Sequence, residues 1–172
     1  MLGDVLAAAS GAGTARVVTS DSEGAALASE AGAGVVDDPG GGQGPAVQAA
    51  LEDVGPGAIL IVNADLPCVV PDDLRALLAA TPAGGVALVE ALDGTTNALS
   101  LPAPEVFSPL YGRDSASRFR EHVESLGLQS VSVVVPNLAD DVDTLEDLQR
   151  LHLRLGPRSQ ARLAELTVAT HT

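Results

Sequence analysis

Two groups of carboxylates follow two apolar runs. Asp65 stands in Asn63-Ala64-Asp65-Leu66-Pro67, directly after Ala58-Ile59-Leu60-Ile61-Val62. Asp140, Asp141 and Asp143 stand in Asp140-Asp141-Val142-Asp143-Thr144, shortly after Val131-Ser132-Val133-Val134-Val135. Short apolar runs of this kind read as buried strands. Residues just past such strands lie outside the carboxyl edge of a parallel sheet, where open α/β folds bind ligands. Carboxylates converging there suit a hard cation such as Mg2+ bridging phosphates, so phosphate chemistry is the first expectation. A plainer role competes at each position. Asp65 could be a turn or capping acid, and Asp141 and Asp143 could cap a helix starting at Leu145, with Thr144 an equal candidate for that cap.

Gly40-Gly41-Gly42 is the second feature that bears on ligands. Small residues let backbone N–H groups approach a base, ribose or phosphate; three glycines also make an ordinary mobile turn between a strand and a helix. His122, His152 and His171 have no spacing partner for a metal or a catalytic triad. Cys68 reads as a small packed residue rather than a nucleophile.

The elements that would position these residues alternate between helical and strand patterns, the signature of an α/β fold with a mostly parallel sheet. Helices are expected over residues 2–9, 22–30, 45–53, 71–80, 115–126, 145–155 and 160–168. Strands are expected over 15–19, 34–36, 58–62, 85–90, 97–101 and 131–135. Asp21 or Ser22 is the expected N-cap of the second helix, and Asp72 and Asp73 sit at the positive end of the helix that Pro71 opens.

Composition narrows the function. A chain of 172 residues fits one domain, residues 1–172, with a core of small aliphatic side chains, since it has one Tyr, two Phe and no Trp. The net charge of −14 disfavours long nucleic acids, which need a positive footprint, but leaves room for a nucleotide whose phosphates a metal neutralises. All nine basic residues are Arg, so a lysine-bearing phosphate loop is excluded. One cysteine rules out a disulfide framework within the chain, which makes the cytoplasm the expected compartment. No apolar run reaches the roughly 20 residues that span a bilayer, so no membrane partner is expected.

Taken in order, the first acidic signature, Asp93-Gly94-Thr95-Thr96-Asn97-Ala98-Leu99, Tyr111-Gly112-Arg113-Asp114-Ser115 and Asp141-Val142-Asp143-Thr144-Leu145-Glu146-Asp147-Leu148 form a set. That set resembles the 2-phospho-L-lactate or phosphoenolpyruvate guanylyltransferases of coenzyme F-420 biosynthesis, within the wider nucleotidyltransferase fold of molybdenum-cofactor and sugar-nucleotide enzymes. The resemblance implies a three-layer, Rossmann-like sheet with helices on both faces. It implies Mg2+ held by Asp65, Asp141 and Asp143, with Asp65 and Asp143 central to catalysis, and a nucleotide beside Gly40, Gly41, Gly42 and Ala64. The acceptor's phosphate and carboxylate would lie near Thr95, Thr96, Gly112 and Ser115, with Arg118, one helical turn beyond Ser115, contacting phosphate. GTP and a small phosphorylated carboxylic acid are the implied partners, and a homodimer is compatible with the family.

The same resemblance marks two departures. The relatives carry an N-terminal strand and a basic triphosphate-binding segment, and this chain starts at the helix that follows them. The expected sheet therefore lacks its central first strand, leaving a slot between the strands at 15–19 and 58–62 that direct hydrogen bonds cannot bridge; an N-terminal truncation is the expected cause. Gln43-Gly44 also stands where the relatives commonly carry Leu-Asn, with Gln43 or Gln48 as substitute amides. Two other readings stay open: a nucleotidyltransferase with a phosphosugar or molybdopterin acceptor, and a binding remnant without turnover.

Overall fold

The computed structural model describes residues 1–169, so His171 lies outside the described residues. The chain runs α1 (Leu2–Ala12), β1 (Arg16–Val18), α2 (Ser22–Glu30), β2 (Gly34–Val36), α3 (Gln43–Leu51), β3 (Ile59–Val62), α4 (Pro71–Ala80), β4 (Val86–Glu90) and β5 (Thr96–Leu101). A 3-10 turn at Pro104–Val106, α5 (Ser115–Ser125), β6 (Ser130–Ser132), α6 (Pro136–Ala139), α7 (Leu145–Arg150) and α8 (Pro157–Ala169) complete it.

The main sheet has the order β3-β5-β4-β6. β4 and β6 run parallel, and β5 runs against both β3 and β4. The carboxyl ends of β3, β4 and β6 therefore share one edge with the amino end of β5. Period-two alternation divides the core between the two faces of this sheet. Ala87, Val89 and Ala98 pack with Val5 and Ala8 of α1 and Leu74 and Leu77 of α4. Val86, Leu88, Leu99 and Leu101 pack with Ala116, Phe119 and Val123 of α5 on the opposite face. Helices thus cover both faces, as the family resemblance implies.

β1 and β2 form a separate parallel pair, with no ladder joining them to β3 among the described residues. The sheet is interrupted where the sequence reading left a slot. β3 is apolar at all four positions but only partly buried, because it is paired on one side only.

Several boundaries differ from expectation, three of them toward the C-terminus. The strand expected over 131–135 ends at Ser132, because Pro136 opens the short α6 and holds Val135 extended at φ −123°. The helix expected over 145–155 stops at Arg150, and turns carry the chain to Pro157, which starts α8 earlier than expected. Asp21 caps α2 as expected, accepting the Gly24 N–H at 2.7 Å.

The start of α8 has a distant cap. Asp4 of α1, only 5% exposed, accepts the N–H groups of Arg158 and Ser159 at 3.1 and 2.8 Å and the Ser159 hydroxyl at 2.6 Å. Removing that carboxylate strands three donors in a buried place. Asp4→Ala is expected to lower stability by about 2 kcal/mol in urea unfolding, with exchange protection of the Ser159 amide lost first; an unchanged midpoint would contradict this cap.

Candidate active site

The two acidic segments meet at the shared sheet edge. Asp65 follows β3, and Asp141 and Asp143 follow α6; one carboxylate oxygen from each lies within 4.8 Å of the others. The Val142 N–H donates to the Asp65 carbonyl at 3.1 Å, which ties the segments together between the two later acids. Thr144 caps α7, its hydroxyl accepting the Asp147 N–H at 3.2 Å while Asp147 accepts the Thr144 N–H at 3.0 Å. The capping role weighed for Asp141 and Asp143 is therefore filled by Thr144, which leaves both carboxylates to the cluster.

Electrostatics fits an oxygen-ligated cation. Burial pushes the Asp65 carboxyl above its usual range, and the charges of Asp141 and Asp143 add to this. Burial likewise raises Asp141, reinforced by Asp143 and Asp93. The Oδ1 atom of Asp65 is buried and has no hydrogen-bond partner, a costly state for a carboxylate oxygen that a ligand would relieve. Three carboxylates with one orphaned oxygen suit a hard divalent cation such as Mg2+ or Mn2+.

Amide side chains connect this cluster to the glycine-rich loop. Gly40, Gly41 and Gly42 have φ of 76°, 86° and 94°, a left-handed run that side chains resist. Just beyond it, Gln43 Nε2 donates to Asn63 Oδ1 at 2.5 Å, next to the exposed Ala64. Asn63 Nδ2 in turn donates to Asn97 Oδ1 and the Thr96 carbonyl, each at 3.3 Å. Asn97 is 1% exposed, its Nδ2 has no close partner, and its nearness to Asp141 counters part of that carboxyl's upward shift. Gln43 thus occupies the junction between the glycine loop and the first acidic signature.

The hydroxyl residues gather on a second pair of loops. Asp93 Oδ1 accepts both the Thr95 N–H at 2.9 Å and the Thr95 hydroxyl at 2.7 Å, and these bonds hold the Asp93 carboxyl below its usual range. The Ser115 hydroxyl donates to Thr96 Oγ1 at 3.0 Å, with both residues buried. The Ser115 N–H bonds the Gly112 carbonyl at 3.0 Å and the Ala116 N–H bonds the Gly94 carbonyl at 3.3 Å. The loops carrying Thr95, Thr96, Gly112 and Ser115 are therefore physically joined, and the first N–H groups of α5 serve that junction.

Arg118 reaches loop backbone rather than the acids. Its Nη2 donates to the carbonyls of Tyr111 at 3.0 Å and Arg113 at 2.9 Å, bracing the turn that carries Gly112 at φ 107° and Asp114 at φ 54°. His122 bonds the Val106 carbonyl at 3.1 Å, and Cys68 is buried, with its thiol pushed up by burial. Asp93 and Asn97 enter the sequence reading only as members of the Asp93–Leu99 motif. The Asp-x-Thr spacing of a side-chain turn was the available signal for Asp93.

Comparison with known proteins adds a family to this geometry. Residues 1–132 match the profile of the MobA-like NTP transferase domain. A phosphoenolpyruvate guanylyltransferase of Roseiflexus castenholzii is 37% identical over a stretch covering 95% of this chain and 78% of that protein. The enzyme of the same name from Streptomyces scabiei is 36% identical, covering 96% and 82%. A third, from Sphaerobacter thermophilus, is 39% identical over 61% of this chain, but the match spans only about half of that relative, 52%. Among solved structures, a proposed nucleotide-diphospho-sugar transferase from Desulfovibrio desulfuricans G20 superposes with a TM-score of 0.66 at 16% identity, covering 88% of this chain and 72% of its own. CMP:2-keto-3-deoxy-manno-octonic acid synthetase with CTP gives 0.51 at 12% identity, covering 87% and 85%. At these identities the two structures speak for the fold.

The raised carboxyls set the sign of a pH effect. A carboxyl that holds its proton more tightly folded than unfolded adds stability below the unfolded value near 3.8 and loses it as pH rises through the raised folded value. Without cations at about pH 7.5, Asp65→Asn is therefore expected to raise Tm, with the gain vanishing toward about pH 3.5. Millimolar Mg2+ should raise the Tm of the wild type and leave that of Asp65→Asn in place. Equal Mg2+ responses in both proteins would contradict the cluster's role.

Proposed function

We propose, from the premise that this chain belongs to the MobA-like NTP transferase domain family, that it is a guanylyltransferase. It moves GMP from GTP to phosphoenolpyruvate, or to a close analogue such as 2-phospho-L-lactate, and releases pyrophosphate, as a step of coenzyme F-420 biosynthesis. The observation that carries this reading is the convergence of Asp65, Asp141 and Asp143 within 4.8 Å, in a chain similar over most of its length to phosphoenolpyruvate guanylyltransferases.

An acceptor phosphate oxygen, already anionic, attacks the α-phosphorus of GTP. A new P–O bond forms while the bond from the α-phosphorus to the bridging oxygen of the β-phosphate breaks, and pyrophosphate leaves with that electron pair. No strong general base is needed, so positioning and charge neutralisation supply the acceleration. Asp65, Asp141 and Asp143 would hold Mg2+, which when bound stabilises the negative charge of the phosphates. The left-handed Gly40–Gly42 backbone, without side chains, leaves room for the nucleotide. On the acceptor side, the Ser115 and Thr96 hydroxyls bond each other and anchor the loops that would hold the acceptor. Arg118 contributes by fixing the Gly112 turn.

A second reading, binding without turnover, draws on the break between the β1–β2 pair and the main sheet. Pyrophosphate release with GTP, Mg2+ and phosphoenolpyruvate separates the two. The proposal expects turnover that falls by roughly 10²–10³-fold in Asp65→Ala and in Asp143→Ala. Thr96→Val should raise the acceptor's KM about tenfold, the cost of about one hydrogen bond. GTP binding with no pyrophosphate under any of these conditions would favour the second reading.

A further inference from the structure

Asp140 stands directly before Asp141, with its side chain only 18% exposed. Both of its oxygens are gripped from the segment that follows. Arg150 Nη1 donates to Oδ1 at 3.1 Å, and Arg154 Nη1 donates to Oδ2 at 2.7 Å. Burial pushes the Asp140 carboxyl up, but the two arginines outweigh it and hold the group below its usual range. Arg154 also donates through Nε and Nη2 to Asn137 Oδ1, at 3.3 and 2.8 Å. Asn137 Nδ2 donates to Asp73 Oδ2 at 3.0 Å, and the same oxygen accepts the Val70 N–H at 2.9 Å. This run of contacts starts beside Asp141 and ends at the opening of α4, on the segment that follows Asp65. Two backbone bonds close the ring: Val142 N–H to the Asp65 carbonyl at 3.1 Å and Gly156 N–H to the Pro67 carbonyl at 2.7 Å.

We infer that Arg150 and Arg154 are positioning residues for the cation site, gripping Asp140 so that Asp141 and Asp143 stay against Asp65. The inference rests on the cation reading of the acidic cluster. Three like charges within 4.8 Å repel one another, and the loop that bears two of them needs an outside hold while no cation is bound. The side chains of Arg150 and Arg154 are 48% and 40% exposed. Ion pairs that open to water contribute little to global folding, so their effect falls on where the loop sits. The brace also lies outside residues 1–132, the stretch that the family profile matches.

The sign of the effect separates positioning from simple charge. An arginine near a cation site repels the cation, so removing its charge should tighten binding if charge were its only influence. Losing a partner that orients metal ligands weakens binding, typically by about 10–100-fold. The test titrates the full, metal-free chain with Mn2+ and reads free Mn2+ by electron paramagnetic resonance. Hydrogen exchange at the Val142 amide is followed in the same proteins without metal. Arg154→Gln and Arg150→Gln should each weaken Mn2+ binding about tenfold and speed Val142 exchange, while the circular dichroism spectrum is kept. Arg154→Lys should recover part of the affinity, and Arg162→Gln, which breaks a pair with Glu165 within α8, should match the wild type. Equal or tighter Mn2+ binding in the two Gln variants would overturn the inference alone. A wild type that binds no Mn2+ would overturn the cation reading and the inference with it. Should Arg154→Gln fail to fold, Arg150→Gln, which has no bond to Asn137, decides on the same readouts.

Discussion

The site depends on holding three carboxylates together against their own repulsion. Asp65, Asp141 and Asp143 bring oxygens within 4.8 Å of one another, and such proximity costs free energy unless a cation or protons neutralise it. The fold supplies that restraint mainly through backbone. β3 delivers Asp65 to the sheet edge, and the Val142 N–H seizes the Asp65 carbonyl at 3.1 Å. Thr144 and Asp147 fix the start of α7 just beyond Asp143. The direction of the strands does the rest, because β3, β4 and β6 all end on the edge where β5 begins.

A second set of contacts gives this edge its other wall. The Ser115–Thr96 hydroxyl pair and the Ala116–Gly94 backbone bond lock the loop before α5 onto the turn before β5. Asn63, bonded to both Thr96 and Asn97, carries that wall across to β3. The acidic cluster and the Ser115–Thr96 hydroxyl pair therefore share a single frame of strand ends, an arrangement suited to holding two phosphorylated molecules in line.

The acidic segments were legible because each follows an apolar run, although the second run stays a strand only to Ser132 and α6 intervenes before Asp141. The covering of both faces was implied by the family resemblance, and the structure realises it by packing Val86 and Leu88 with α5 and Ala87 and Val89 with α1 and α4. The slot beside β3 was legible only through the family resemblance, since Ile59–Val62 alone reads as an ordinary buried strand. What the sequence hid are bonds between residues far apart in the chain. Gln43 to Asn63, Asp4 to Ser159 and Arg154 to Asn137 have no local signature, because each depends on the path of the backbone between them. Arg118 illustrates the same limit. Its position one turn after Ser115 was readable, but its engagement with the Tyr111 and Arg113 carbonyls depended on the left-handed turn at Gly112 and Asp114.

The central claim is that the three carboxylates form one divalent-cation site where GTP is held. Anomalous diffraction from crystals of the full chain grown with Mn2+ and GTP tests it most directly. The account predicts a Mn2+ peak in contact with carboxylate oxygens of Asp65, Asp141 and Asp143 and with phosphate oxygens of the nucleotide. A nucleotide bound with its Mn2+ elsewhere, and no peak at these three residues, would contradict it.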